Sequence, residues 1–415
     1  MNAATPPSMM TRAWLIVGLL FVVGVLNNLD RIMLTTMRLS IKEAIPMSEG
    51  QFGLLTSAFL WSYALLNPFA GFLADRFNRS RVIIIGLFVW SLMTWLTGHA
   101  RSYNELVIVR IGMGLSEACF LPAALALISD YHGTSTRALA SGIVIAGLGV
   151  GSALGGLGGW LAEQQGWQYA FNLFGIGGMA YAVVLLLVLR DAPAAMRADD
   201  APSKARGSDM IEGLESLFLN PSFWLILFCW GIIGIAGWAV VGWMPTYLNE
   251  RFELSQTKAG IMATSYPQLA GLLGLLIGGA WADLWSRTHS RARNHVAVIG
   301  LVCAAAGIFV CAQAGVLAVC VGGLLFYGFT RVFLDANMMP ILCTACDARC
   351  RATAFGLMNL LSTLLGGLSI YAGGVLRDAK VEVTTMFFLG AAILILCAIT
   401  IYLVRPRLTV IAEYS

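Results

Sequence analysis

Asp30 and Arg31 stand side by side inside LLFVVGVLNNLDRIMLTTM, residues 19–37, a stretch otherwise apolar enough to cross a bilayer. RIGMGLSEACFLP, residues 110–122, holds a second charged couple. Its Arg110 and Glu117 are seven positions apart, hence on one helix face two turns apart. A charge at the membrane centre costs roughly 2.5–3.5 kcal/mol on insertion scales, so it persists where it is paired or functional. Glu117 falls near the middle of its apolar run. A desolvated carboxylate there can take a proton from one face and release it to the other. The alternative is a static ion pair that stabilises a bundle, and a pair that breaks on protonation is both. Adjacent helix residues point about 100° apart, so Asp30 and Arg31 cannot form a good mutual salt bridge. Arg31 offers a planar fork to a carboxylate, phosphate or sulfonate. Asp30 is expected to face a protonatable network or a basic residue on the helix of Arg110. Asn27, one turn before Arg31, adds a neutral donor and acceptor.

A third charged couple, Arg331 and Asp335, lies in another apolar run. That Arg either binds a second anionic group or neutralises Asp335. Trp230, Trp238, Trp243, Tyr247, Tyr266, Gln268, Tyr327 and Asn337, with Asn359 and Ser362 as weaker candidates, are the polar and aromatic residues that would recognise hydroxyls. Trp and Tyr also collect at membrane interfaces, which is the competing reading for each of them.

These residues need membrane-spanning helices to hold them. The chain is 415 residues long, 58% hydrophobic and only 12% charged, half the charged share of a soluble domain. A span takes about 20 apolar residues. Twelve such runs occur, from residues 13–36 to residues 384–404, the charged couples falling in those at 13–36, 104–128 and 315–340. Counted with the N-terminus inside, the cytoplasmic ends hold 16 Lys and Arg and the outer ends 7, which puts both termini in the cytoplasm. The first run is too long for a cleavable signal peptide, and no small-residue cleavage motif follows it. The nine cysteines lie mostly within apolar runs as small hydrophobes. Cys343, Cys346 and Cys350 lack a second ligand pair, so no metal site is expected. Neither a cofactor nor a nucleic-acid partner is expected, and no nucleophile and base at usable spacing points to an enzyme.

The longest polar stretch divides the runs six and six: a first bundle at 1–189, a cytoplasmic linker at 190–220 with a surface helix over DMIEGLESLF, and a second bundle at 221–415. The halves repeat. GFLAD (residues 71–75) matches GAWAD (279–283), Arg79 matches Arg287, and EACFLP (117–122) aligns with DANMMP (335–340). Two halves of six spans with corresponding motifs imply a pseudo-twofold transporter, an all-α membrane protein of twelve helices. Gly147, Gly151, Gly155 and Gly159 recur every fourth residue, the spacing that lets membrane helices pack closely.

GFLADRFNRSR resembles the loop between spans 2 and 3 of the major facilitator superfamily. The resemblance implies a conformational role for Gly71, Asp75, Arg76 and Arg79, echoed by Asp283 and Arg287. Asn78 stands where that family usually has Gly, and Asn tolerates the same turn geometry. NNLDR, the residues from Gln51 to Val82, RIGMGLSEACFLPAALALISDYHGTSTRALASG and GWMPTYL together resemble the anion:cation symporter family within that superfamily. This implies a proton-coupled symporter of a sugar acid or other carboxylate in the cell membrane, working as a monomer. Asp30 and Glu117 would couple protons. Arg31, Asn27, Arg110 and, in the second half, Arg331, Tyr327, Asn337, Trp238 and Gln268 would bind substrate. Spinster-like lipid exporters carry a similar Asp-Arg and Glu set and give the alternative reading; a ligand sensor without net transport is the second alternative.

Overall fold

In a computed structural model the described residues are 7–133, 135–192, 217–346 and 350–405; the side chains of residues 7–9, 68, 71–75 and 352 also lie outside the description. Most of the expected linker, with most of its surface helix, falls outside it too. All regular structure among the described residues is helical. Backbone polar groups in lipid must be satisfied within the segment, and a helix does this at every turn.

The helices of the first part of the chain are α1 (Pro7–Thr36), α2 (Arg38–Ala44), α3 (Glu49–Arg76), α4 (Arg79–Thr97), α5 (Tyr103–Glu117), α6 (Phe120–Tyr131), α7 (Arg137–Leu154), α8 (Leu157–Gln165) and α9 (Trp167–Val188). The second part contributes α10 (Pro221–Phe252), α11 (Gln256–Ser286), α12 (Ala292–Gln313), α13 (Leu317–Ala345), α14 (Arg351–Asp378) and α15 (Val383–Leu403). Eleven helical stretches among the described residues are long and apolar enough to cross a membrane, and α3, at the second expected run, is a continuous helix of 28 residues. Several helices outrun the apolar stretches that announce them. The run at 222–244 becomes α10, which ends only at Phe252, because hydropathy marks the part inside hydrocarbon and not the polar turns beyond it.

Caps set several starts. Ser102 accepts from the Glu105 amide, Ser255 from that of Lys258, and Asn220 from that of Ser222 with Pro221 in the first turn. Two expected spans are each built from two helices. α5 stops at Glu117 and α6 resumes at Phe120; Pro122 has no N–H for the carbonyl four residues back and its ring crowds that carbonyl, which belongs to Ala118 in the break. The span of α7 and α8 breaks at Gly155 and Gly156.

The chain forms two compact units. Unit 1 comprises Met1–Met47 and Trp61–Ala201; unit 2 comprises Ser48–Leu60 and Pro202–Ser415. In unit 1, α1 packs along α7 and α4 along α9. A Cβ at Gly147 would sit 2.6 Å from the Phe21 carbonyl oxygen, and one at Gly151 would collide with the Val25 carbonyl. The glycine spacing thus brings the α7 backbone against α1 and fixes the height at which Asp30 and Arg31 stand. Asn28 locks the register, donating to the Leu148 carbonyl at 2.9 Å and to Ser152 Oγ at 3.0 Å.

Unit 2 has a continuous apolar core around Trp243, Tyr247, Phe387 and Leu394, in which α13 packs on α11 and α12, and α10 on α14 and α15. The first turns of α3 cluster here because Asp378, ending α14, caps them: its carboxylate accepts from Ser48 Oγ at 2.7 Å and from the Glu49 and Gly50 amides at 2.9 and 2.8 Å.

Candidate ion-coupling and anion-binding site

Unit 1 gathers four charged side chains from two spans, two acids and two bases. Arg31 Nη2 donates to Glu117 Oε2 at 3.1 Å; the carboxylate is fully buried and the guanidinium side chain 12% exposed. The Tyr63 ring lies beneath the Arg31 guanidinium, 4.6 Å from its centroid, a cation–π contact that holds the fork in one plane. Asp30 Oδ2 accepts from Thr94 Oγ1 on α4 at 3.1 Å. Arg110 is buried within electrostatic reach of Glu117, Asp30 and Arg31, and its Nη1 lies 3.3 Å from the Met113 sulfur. Asp30 Oδ1, Glu117 Oε1 and Asn27 Nδ2 are buried without a hydrogen-bond partner among the described residues.

The expected Arg110–Glu117 couple is therefore not the hydrogen-bonded one. Seven residues along a helix separate two side chains by roughly 10 Å, whereas α1 brings Arg31 across to Glu117 directly. Asp30 and Arg31 do point to different partners, as the 100° step requires, and Asp30 meets a hydroxyl on α4 as well as the field of Arg110. Thr94 and Tyr63 carry the site without having been singled out in the sequence. A lone hydroxyl or ring in an apolar run looks like any other packing residue. The break after Glu117 interrupts the hydrogen-bond ladder at the residues next to that carboxylate, while Ala118 and Cys119 keep right-handed helical backbone angles.

In unit 2, Arg331 Nη1 donates to Asp335 Oδ2 at 3.2 Å, one turn along α13, and both side chains are 28% exposed. Tyr327, one turn earlier, is buried and within electrostatic reach of Arg331. Asn337 spends its amide hydrogen on the Phe333 carbonyl of its own helix at 2.9 Å. Trp238 lies against the α14 backbone at Gly366, and Gln268 is half-buried on α11. Trp230 Nε1 donates to Asn359 at 3.2 Å. Tyr247, a candidate whose competing reading was packing, is a strut: its hydroxyl donates to the Cys311 and Ala312 carbonyls at 3.0 and 3.1 Å.

The loop residues of the repeated motif sit at helix ends. Arg79 bonds Asp130 and the Ala126 carbonyl at the end of α6. Arg76 is exposed, and the side chains of Gly71 and Asp75 lie outside the described residues. In the second copy Asp283 accepts from Arg293 at 2.6 Å while Arg287 is exposed. Among the described residues no group of three His, Cys, Asp or Glu side chains could hold a metal ion.

The family model described as Major Facilitator Superfamily matches residues 20–370. The chain belongs to that superfamily. The superfamily relatives among curated proteins include transporters of differently named cargo and an efflux pump. A "Probable L-galactonate transporter" of Escherichia coli is 27% identical, the match covering 69% of this chain and 66% of that protein. A "Probable sulfoacetate transporter" of Cupriavidus necator is 25% identical over 95% of this chain and 94% of its own. A sphingosine-1-phosphate transporter of Xenopus tropicalis is 28% identical over 89% of this chain and 74% of its own. Among solved structures, a bacterial homologue of the human lysosomal transporter Spinster, inward-facing and unoccupied, superposes with a TM-score of 0.76 at 20% identity, covering 97% of this chain and 96% of that one. That likeness concerns the fold. The all-helical membrane architecture and its transporter class are those of the superfamily.

Proposed function

We propose that the protein is a proton-coupled symporter of a small organic anion, a sugar acid or another carboxylate, working by alternating access in the cell membrane with both termini in the cytoplasm. The observation that carries this reading is the charge balance of the unit 1 cluster. Asp30 and Glu117 supply two negative charges, Arg31 and Arg110 two positive ones, and Glu117 already holds one arm of Arg31 at 3.1 Å. An arriving anion competes with Glu117 for the Arg31 fork. It wins when Glu117 takes a proton, because the neutral acid no longer holds the guanidinium and the cluster keeps its overall neutrality. Anion and proton therefore bind together, and a bare proton or a bare anion leaves an uncompensated charge in low dielectric. Asp30, bonded to Thr94 and facing Arg110, is the second acid through which the proton passes. Galactonate and sulfoacetate transport in the relatives supports an anionic substrate.

Glu117→Gln tests this. The variant, purified and reconstituted, is expected to lose accumulation driven by a proton gradient while retaining binding or exchange. Full gradient-driven uptake by it would remove Glu117 from the coupling.

A second reading is lipid transport, favoured by 28% identity to a sphingosine-1-phosphate transporter over most of this chain. A phosphate group would take the same Arg31 fork, and competition between a sugar acid and a lysolipid for binding separates the two.

A further inference from the structure

We infer that Cys311 and Cys320 form a disulfide that closes the outer end of the α12–α13 hairpin. This rests on the topology proposed above, which puts the turn between those helices outside the membrane, and goes beyond it.

The chain places the two thiols opposite each other. α12 ends at Gln313 and α13 starts at Leu317, and two helices joined so tightly run antiparallel. Cys311 lies in the last turn of α12 and Cys320 in the first turn of α13. One turn deeper the two backbones touch. A Cβ at Gly307 would sit 2.9 Å from the Gly323 carbonyl oxygen, and one at Gly323 would sit 2.7 Å from that of Gly307 and 2.8 Å from the Cys311 amide nitrogen. A larger residue at either glycine would push the helices, and with them the thiols, apart. As it is, the sulfurs lie 3.2 Å from each other. A disulfide bond is about 2.05 Å long, so they need to close by little more than about 1 Å.

Cys229, Cys397 and Cys346 behave as small hydrophobes with a weak donor. Cys229 and Cys397 each donate to the other's carbonyl oxygen, at 3.7 and 3.6 Å, and Cys346 donates to the Leu342 carbonyl of its own helix at 3.1 Å. Cys311 and Cys320 face each other instead, and two thiols gain little from that contact. Cys229 and Cys397 also lie toward the opposite end of the span, near the start of α10 and the end of α15. Thiols on the cytoplasmic side are kept reduced, whereas the outer end meets an oxidising compartment such as the bacterial periplasm. Tyr247 gives the bond its consequence. Its hydroxyl already fastens α10 to the Cys311 and Ala312 carbonyls, so a link from Cys311 to Cys320 joins α10, α12 and α13 at that end of unit 2.

The oxidant is a protein disulfide donor of the outer compartment. One cysteine thiolate attacks a donor sulfur and expels the other donor sulfur as a thiolate. The second cysteine thiolate then attacks the first cysteine's sulfur in the mixed disulfide, which forms the Cys311–Cys320 bond and releases the donor as a dithiol. Two protons and two electrons leave the pair. Both sulfurs are buried in the finished unit, so the exchange precedes the packing of its core.

The experiment uses the full chain expressed in a bacterial inner membrane. Free thiols are blocked with N-ethylmaleimide as the cells are lysed, and the purified protein is denatured and cut with trypsin without reductant. The peptide from Asn294 to Arg331 carries Cys303, Cys311 and Cys320. It is expected to bear one maleimide adduct and to lack two hydrogens, and to bear three adducts when reduction precedes alkylation. Cys303→Ala should leave no adduct and the same loss of two hydrogens, while Cys311→Ala should bear two adducts and abolish that loss. Three adducts on the unreduced wild-type peptide overturn the inference. The topology is read separately, from Val316→Cys in a Cys311→Ala, Cys320→Ala chain treated with a membrane-impermeant maleimide on spheroplasts. Labelling above that of the same chain without Val316→Cys, with three adducts on the wild-type peptide, removes the disulfide and leaves the topology standing. No added label, with three adducts on the wild-type peptide, overturns both.

Discussion

Glu117 and Asp335 hold corresponding positions in the internal repeat, each five residues before a proline, yet the two units use them differently. In unit 1 the acid is fully buried and its partner, Arg31, comes from another helix. In unit 2 the acid is partly open and its partner, Arg331, is on its own helix. The prolines differ as well: Pro122 coincides with a break in the span and Pro340 lies within a continuous helix. A pair between helices stores information about where those helices stand, since moving either one breaks it. A pair within a helix is indifferent to such movement and presents a fixed set of donors and acceptors. Of the two, only the unit 1 pair would be disturbed by a movement of one helix against another.

The contrast is broken most directly by removing each arginine in turn. Arg31→Ala leaves Glu117 buried without its cation, which typically costs about 3–5 kcal/mol when one partner of a buried pair is lost. A large drop in thermal stability is expected, with most of it restored in the Arg31→Ala, Glu117→Gln double variant. If the double variant is as unstable as the single one, the loss lies in packing against Tyr63 and not in charge.

The prolines sharpen the comparison at a smaller scale. Pro122→Ala allows α5 and α6 to run through as one helix. Stability should rise by less than the roughly 3 kcal/mol that a proline costs a straight helix, because the break has already relieved part of the clash. Proton-driven uptake should fall as the hydrogen-bond ladder beside the Glu117 carboxylate closes. Pro340→Ala in α13 should leave the coupling of uptake to the gradient intact. Equal effects on coupling in both variants would mean that the break after Glu117 has no part in it.

The architecture was legible in the sequence because apolar run length reports directly on what lipid demands. The glycine ladder was legible too, since only missing side chains allow the approach of α7 to the Phe21 and Val25 carbonyls. The partner of Glu117 was not. Spacing says which residues share a face of one helix and nothing about which neighbour that face meets, so Arg110 was the natural expectation and Arg31 the outcome. Thr94 was hidden for the same reason. The break in the hydrogen-bond ladder at Ala118 could have been read from Pro122 four residues on, a local rule needing no tertiary knowledge. Tyr247 shows why packing has to be weighed beside recognition for an aromatic with a polar tip in an apolar span: its hydroxyl is taken by two backbone carbonyls.

The smallest expected effect is the one that decides whether the contrast is real. Arg331→Ala removes half of a partly exposed intrahelical pair, and such pairs contribute only about 0.3–0.5 kcal/mol even on open helix surfaces. Asp335 is 28% exposed, so its loss of a partner is cushioned in a way that Glu117, wholly enclosed, cannot share. Thermal stability should therefore fall by less than about 1 kcal/mol, while binding of a hydroxylated acid weakens. A fall comparable with that of Arg31→Ala would make the unit 2 pair a structural keystone and erase the contrast between the two pairs. A small fall in stability with a clear loss of affinity is what a recognition element gives, because the energy it contributes is realised only when a ligand binds.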